Sequence, residues 1–263
     1  MGTYAAVVLA GGAARRMGGV DKPALPVGGQ PMRDRVLAAV TDATPRVLVG
    51  AADAVPAGVL VVREDPPGGG PVAAAAAGLA LLDADTSLVA LLAADLPLLT
   101  RAAIGDLLNH LDRETPDTEP TGDRSAAPAS PAHGGLASAS PAHGGSAPAA
   151  PAHGGSAPAA PAHGGLASPP RSGGDGERRP DGACFVDGDG RRQSLCGVWR
   201  VAALRAAVDR LTVERGGSLA GAPVRALLAD LVVREVAWSG EGPPPWFDCD
   251  TDEDVRRAEE WAR

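Results

Sequence analysis

An apolar run that breaks into glycines and then into cations is the most restrictive stretch of this sequence. Residues 4–22 read YAAVVLAGGAARRMGGVDK: residues 5–10 are apolar throughout, Gly11 and Gly12 end the run, Arg15 and Arg16 follow, and Asp21-Lys22 closes it. A short apolar run bounded by glycine is the pattern of a strand buried inside a parallel sheet. Glycines just past a strand end let backbone N–H groups come close to an anion, with no Cβ in the way. The arginines and the lysine supply positive charge for that anion. The stretch reads either as a phosphate-cradling loop for a nucleotide or as an ordinary strand and loop with solvated basic residues.

Further along, residues 32–40 put Met32, Val36, Leu37 and Val40 on one helical face. Residues 46–50 (RVLVG) and 59–62 (VLVV) are short β-branched runs, each expected as a buried strand. The proline- and glycine-rich PPGGGP at 66–71 enforces a loop, and the alanine-rich residues 72–82 restart a helix able to pack closely on a sheet. Residues 87–92 (SLVALL) form the most uniformly apolar run, expected to be central, and it empties into Ala93-Ala94-Asp95-Leu96-Pro97. Thr100 is placed to cap a helix carrying Ile104, Leu107, Leu108 and Leu111 inward. Beyond residue 182, ACFV and LCGVW flank the turn Asp187-Gly188-Asp189-Gly190 as a hairpin. A helix with Val201, Leu204, Val208 and Leu211 on one stripe follows, then a short helix around VRALL, a strand at 231–236, and a last helix behind Thr251, which with Asp254 resembles a capping box.

Between these parts, residues 116–181 differ in kind. SPAHGGLASA, SPAHGGSAPA, APAHGGSAPA and APAHGGLASP succeed one another at a ten-residue period from Ser130, Ser140, Ala150 and Ala160. With almost no large apolar side chains, this segment has too little surface to bury to offset its ordering entropy. It is expected to be a disordered low-complexity insertion, and its units have no face on which to stack as a solenoid. His133, His143, His153 and His163 recur through it, but a flexible spacer offers no fixed ligand geometry and no metal site is expected there. Residues 1–115 and 182–263 are then one α/β domain split by an insertion, with roughly two hundred residues, enough for a single core. Because only 3% of residues are aromatic, that core is expected to be mainly Ala, Val and Leu.

The net charge of −8 argues against non-specific binding to nucleic acid or anionic membranes, which makes a local basic cluster more telling. No apolar stretch is long enough to span a bilayer, the first residues lack a basic signal region, and Cys184, Cys196 and Cys249 show no C-x-x-C spacing. A reduced, cytoplasmic protein is expected.

Asp95 stands at the carboxyl end of the expected central strand, where open α/β sheets bind ligands, although an Asp there also serves simply to turn or cap a chain. In a parallel sheet the glycine loop with Lys22, Asp95 and the pre-helix pair Asp248/Asp250 would share one carboxyl edge. Glycine backbone with Lys and Arg suits a triphosphate, and facing carboxylates suit Mg²⁺, which prefers oxygen ligands. Such equipment serves attack on phosphorus, with charge stabilisation supplying most of the rate.

Here a resemblance enters. LAGGAARRMGGVDK at 9–22 resembles the opening signature of MobA-like nucleotidyltransferases, the family of molybdenum cofactor guanylyltransferase. EDPPGGGP at 64–71 is similar to the family's acidic glycine-proline loop, AADLP at 93–97 to its metal motif, RQSLCGVW at 192–199 to the strand after its substrate loop, and DCDTDED at 248–254 to its closing motif. The likeness covers nearly everything outside residues 115–181. It implies a Rossmann-like three-layer α/β/α sandwich with a mostly parallel mixed sheet. By position, Leu9, Ala10 and Gly11 would contact guanine and ribose, while Gly12, Arg16 and Lys22 would hold the phosphates. Asp65 would be the second nucleotide-contacting acid, Asp95 the Mg²⁺ ligand and Asp250 a second acidic metal ligand. Arg16, Lys22 and Asp95 would carry the chemistry. The implied reaction is attack by a terminal phosphate of molybdopterin on the α-phosphorus of GTP, with pyrophosphate leaving, no protein nucleophile and passive cysteines. The resemblance also implies transient contact with molybdenum-cofactor proteins.

The chain departs from the family pattern at four places. Gly50-Ala51 stand where an Asn is usual, Ala74 replaces a glycine, Asp252 replaces a proline, and Gln193-Ser194-Leu195 replaces Gln-Pro-Leu. Transfer of a cytidylyl group, a phospho-acid or sugar-phosphate acceptor, and a nucleotide-binding module without turnover stay open as alternatives; the A-G-G form of the loop favours GTP by analogy. A dinucleotide-type dehydrogenase does not, because G-x-G-x-x-G is absent, as is the P-loop pattern.

Overall fold

In the computed structural model the described residues are 3–11, 21–52, 54–112 and 178–263. Their main strands are β1 (Ala5–Leu9), β4 (Arg46–Val49), β5 (Val59–Val62), β6 (Leu88–Ala93), β7 (Gly182–Val186), β8 (Arg192–Arg200) and β9 (Val233–Ala237). These form a seven-stranded sheet with spatial order β5-β4-β1-β6-β8-β7-β9. β5, β4, β1 and β6 run parallel, β8 runs antiparallel to both β6 and β7, and β9 is parallel to β7. The sheet is therefore mixed with one reversed strand, and β6 lies fourth of seven, as its uniformly apolar sequence predicts. A separate two-residue hairpin, β2 (Pro26–Val27) with β3 (Gln30–Pro31), turns through Gly28 and Gly29, both at positive φ.

Alternation along the strands separates two cores. Ala6, Val8, Ala90, Leu92, Ala183, Phe185 and Val198 face one side, covered by α1 (Met32–Ala39) and α3 (Arg101–Asp112). Ala5, Val7, Val47, Val49, Val89, Leu91 and Trp199 face the other, covered by α2 (Pro71–Leu79), α4 (Val201–Glu214) and α5 (Val224–Leu227). Helix, sheet and helix make three layers, the expected sandwich. Thr100 caps α3 by accepting from the Ala103 N–H at 3.2 Å. The expected capping box of α6 (Asp252–Trp261) is formed, with Thr251 and Asp254 bonded reciprocally.

One strand differs from expectation. VLVV at β5 is not buried: Leu60 and Val61 are 47% and 46% exposed, because β5 is the sheet's edge and pairs only with β4. An apolar tetrapeptide does not distinguish an edge strand from a central one. Both sides of the insertion feed the same sheet, since α3 packs with β7 in one core. The insertion's repeats and their histidines lie outside the described residues. No helix among the described residues is long and apolar enough to cross a membrane.

Candidate functional site

All the parallel strands deliver their carboxyl ends to one edge, and backbone bonds lace the segments that leave it. The Ala94 N–H donates to the Leu9 carbonyl at 3.0 Å, joining the exits of β6 and β1. The Ala10 N–H donates to Val49 O at 2.8 Å, and Gly50 N–H to Val62 O at 2.8 Å. Gly50 sits at φ +143° with its would-be Cβ only 3.0 Å from the Ala10 carbonyl carbon. No side chain fits between these turns, so Gly50 packs backbone to backbone against Ala10 and Gly11.

Lys22 opens a single 3₁₀ turn (Lys22–Ala24) whose prolyl second residue fixes its geometry. Its Nζ donates to Asp95 Oδ2 and to Asp250 Oδ1, each at 2.7 Å. Three residues far apart in sequence thus meet at one point. The Cys249 N–H donates to the Asp95 carbonyl at 3.3 Å, which lays the closing motif along the end of β6. Lys22 and Asp95 are 19% and 24% exposed and Asp250 57%, so the cluster opens to solvent on its Asp250 side. Burial works to lower the Lys22 pKa, but the hydrogen bonds it donates to Asp250 and Asp95 outweigh it and raise it. The ammonium therefore stays charged between its two carboxylates. Asp248 is shifted upward, first by burial and then by the neighbouring Asp250 charge.

Beside Asp95 lies a cavity of about 210 Å³, walled by Gln193, Leu195 and Cys196 of β8, by Trp246 and Asp248, and by the exit of β6. Trp246 is steadied from behind by Phe185, ring centroids 5.3 Å apart. The cysteines are all buried. Burial pushes the Cys184 thiol up to about 11 and Cys249 to about 12, and shifts Cys196 upward as well. None is poised as a thiolate nucleophile.

Of the remaining expected site residues, Leu9 is buried at the end of β1, Ala10 is half-buried and Gly11 exposed immediately after it. Asp65 is exposed beyond β5. Gly12 and Arg16 lie outside the described residues. Glu64 is not singled out by the sequence, yet it is the acid of the EDPP segment that turns inward, 6% exposed, with Oε1 accepting from the Gly68 N–H at 3.0 Å. The usable signal is alternation: Val62 and Glu64 share one side of the chain leaving β5, while Arg63 and Asp65 take the exposed side.

Among the described residues no three His, Cys, Asp or Glu side chains converge as a ready ion cage. Asp95 and Asp250 nonetheless offer hard oxygen donors within reach of a shared cation, since both contact one ammonium now. Two carboxylates completed by substrate phosphate and water are the usual protein share of a Mg²⁺ site.

The family model of the MobA-like NTP transferase domain matches residues 6–150, more than half of the chain. The chain belongs to that family. In this member the matched stretch holds the glycine loop, Lys22 and Asp95, while Asp248 and Asp250 come from beyond it. No curated protein matches the sequence significantly. Among solved structures, molybdopterin-guanine dinucleotide biosynthesis protein A from Archaeoglobus fulgidus superposes with a TM-score of 0.55 at 14% identity, covering 97% of this chain and 96% of that one. The 2-C-methyl-D-erythritol 4-phosphate cytidylyltransferase of Thermus thermophilus superposes at 0.54 with 16% identity, over 99% and 98% of the chains. The 4-diphosphocytidyl-2C-methyl-D-erythritol synthase of Anaerococcus prevotii does so at 0.53 with 12% identity, over 98% and 97%. At these identities the superpositions establish the fold alone, one shared by the molybdopterin-guanine dinucleotide biosynthesis protein and the cytidylyltransferase alike.

Proposed function

We propose that this MobA-like nucleotidyltransferase transfers GMP from GTP to molybdopterin with release of pyrophosphate. The observation that carries the reading is the meeting of Lys22 with Asp95 and Asp250 beyond the carboxyl end of β6. A triphosphate needs a cation and hydrogen-bond donors near its bridging oxygens, and a charged Lys22 beside two carboxylates that would hold a metal ion supports that role. Asp95 and Asp250 would hold Mg²⁺, which when bound neutralises charge on the phosphates. Lys22 exchanges part of its carboxylate contact for a phosphate oxygen, and Arg16 adds a second cation. Leu9, Ala10, Gly11 and Asp65 contact the nucleoside, and Gly12 offers backbone to the phosphates.

The acceptor occupies the cavity beside Asp95, between Trp246, Gln193 and Asp248. Its terminal phosphate oxygen attacks the α-phosphorus. A new P–O–P bond forms, the bond from the α-phosphorus to its bridging oxygen breaks, and the electron pair leaves with pyrophosphate. Positioning and charge stabilisation account for the rate, so no side chain is covalently modified.

Pyrophosphate release measured with each nucleoside triphosphate against molybdopterin, 2-C-methyl-D-erythritol 4-phosphate and simple sugar phosphates tests the reading. Release with GTP and molybdopterin alone is expected; release only with CTP would replace it by cytidylyl transfer, and nucleotide binding without release from any pair would leave a binding module. Asp95→Asn is expected to lower turnover by about 10²–10³-fold with the fold retained.

A further inference from the structure

Lys22 reaches Asp95 and Asp250 from a segment that no strand of the main sheet holds. From Lys22 to Pro31 the chain is one 3₁₀ turn and then the separate hairpin of β2 and β3. A lysine stem is long and flexible, so where its ammonium settles depends on how its backbone is set against the exit of β6. Arg35, half-buried on α1, ties the two together. Its Nε donates to the Pro97 carbonyl, just past Asp95, at 2.8 Å, and its Nη1 donates to the Val27 carbonyl on the hairpin at 3.4 Å. Gly28, at φ +60°, keeps that approach open, since a Cβ there would stand 2.9 Å from Arg35 Nη1. The same turn is held from α6, which follows Asp250: Glu259 Oε1 accepts from the Gly28 N–H at 3.0 Å.

Val27, Met32, Leu98, Cys249 and Ala258 also pack these segments into a small apolar cluster. Burial of that kind is non-directional, whereas a planar guanidinium with its donors in a rigid fork fixes orientation. We infer that Arg35 is a positioning residue for the transfer: by gripping the Val27 and Pro97 carbonyls together, it sets the segment of Lys22 against the loop of Asp95. The assignment rests on the nucleotidyl-transfer reading above and adds to it a residue that acts only through Lys22 and Asp95.

Lys22 is the only lysine in the sequence, so the full chain labelled with ¹⁵N-lysine carries a single side-chain ammonium reporter. An ammonium held between carboxylates exchanges its protons slowly enough to be seen by NMR at low temperature, and a freely solvated one does not. The comparison is Arg35→Met against Arg205→Met. Arg205, in the other helical layer, likewise bonds two carbonyls, Leu79 O at 3.1 Å and Leu82 O at 2.7 Å. Both variants are expected to melt lower than wild type, but only Arg35→Met loses the ammonium signal. Its kcat for pyrophosphate release falls by about 10²-fold with KM little changed, the mark of groups misplaced rather than lost. A wild-type ammonium signal in Arg35→Met, or its equal loss in both variants, would overturn the inference. Absence of the signal from wild type would overturn the Lys22 cluster and the inference with it. No pyrophosphate release by wild type from any substrate pair would overturn the transfer reading alone, because the ammonium signal needs no turnover.

Discussion

The two halves of the sheet are built from different material. β5, β4, β1 and β6 pack with small side chains: α2 lays Ala74, Ala75 and Gly78 against them, and a Cβ on Gly78 would press into Val7 and lie 3.0 Å from Val49 Cγ2. β8, β7 and β9 pack with rings. Of the seven aromatic residues, only Tyr4 precedes the insertion; Phe185, Trp199, Trp238, Trp246, Phe247 and Trp261 follow it. Phe185, wholly buried, meets Trp238 edge-on at 5.5 Å and Trp246 at 5.3 Å. The contrast teaches a division of labour. Where phosphates would approach backbone in the proposed reaction, the chain removes side-chain bulk and holds its turns by main-chain bonds. Where the proposed acceptor would need a wall, it concentrates large apolar area in few residues.

That contrast can be broken experimentally, most severely at Phe185. Phe185→Ala is expected to cost about 3–5 kcal/mol in denaturant unfolding, while the folded protein keeps its GTP affinity. A loss of affinity matching the loss of stability would show that the halves do not divide the work. Gly78→Ala is expected to cost less, about 1–3 kcal/mol by overpacking, but to weaken GTP binding because Val7 and Val49 support the turns at Leu9 and Gly50. Unchanged nucleotide affinity in this variant would deny the small-residue half its special role. Smallest of all, removing residues 130–168 is expected to shift unfolding free energy by about 0.6 kcal/mol or less, the scale of a change in loop length, and to leave GTP affinity alone. A large drop in either would make the repeat part of the folded core.

Much of this architecture is legible because the strands announce themselves and the candidate site residues stand just past their ends. SLVALL marks β6 as central, and Asp95 follows it directly; Lys22 and Asp250 are nameable from motif position. What cannot be read is how the three are joined, since sequence orders residues along the chain and not around a point. The single ammonium shared by Asp95 and Asp250 emerges only once Cys249 is hydrogen-bonded to the exit of β6. Glu64 escapes for a different reason. Two adjacent acids before a proline look equally solvated in sequence, and the direction in which the chain leaves β5 decides which one turns inward. The exposed VLVV of β5 reads wrongly as buried because edge and centre share one composition, and the difference lies in a missing neighbour.

Catalysis as proposed depends on the Lys22, Asp95 and Asp250 cluster gripping a metal-bound triphosphate. Calorimetric titration of GTP with Mg²⁺ and then with EDTA, on wild type and on Asp95→Asn, tests this most directly. Mg²⁺ is predicted to tighten GTP binding by about tenfold or more in wild type and to have almost no effect in Asp95→Asn. An equal Mg²⁺ enhancement in both proteins would contradict it.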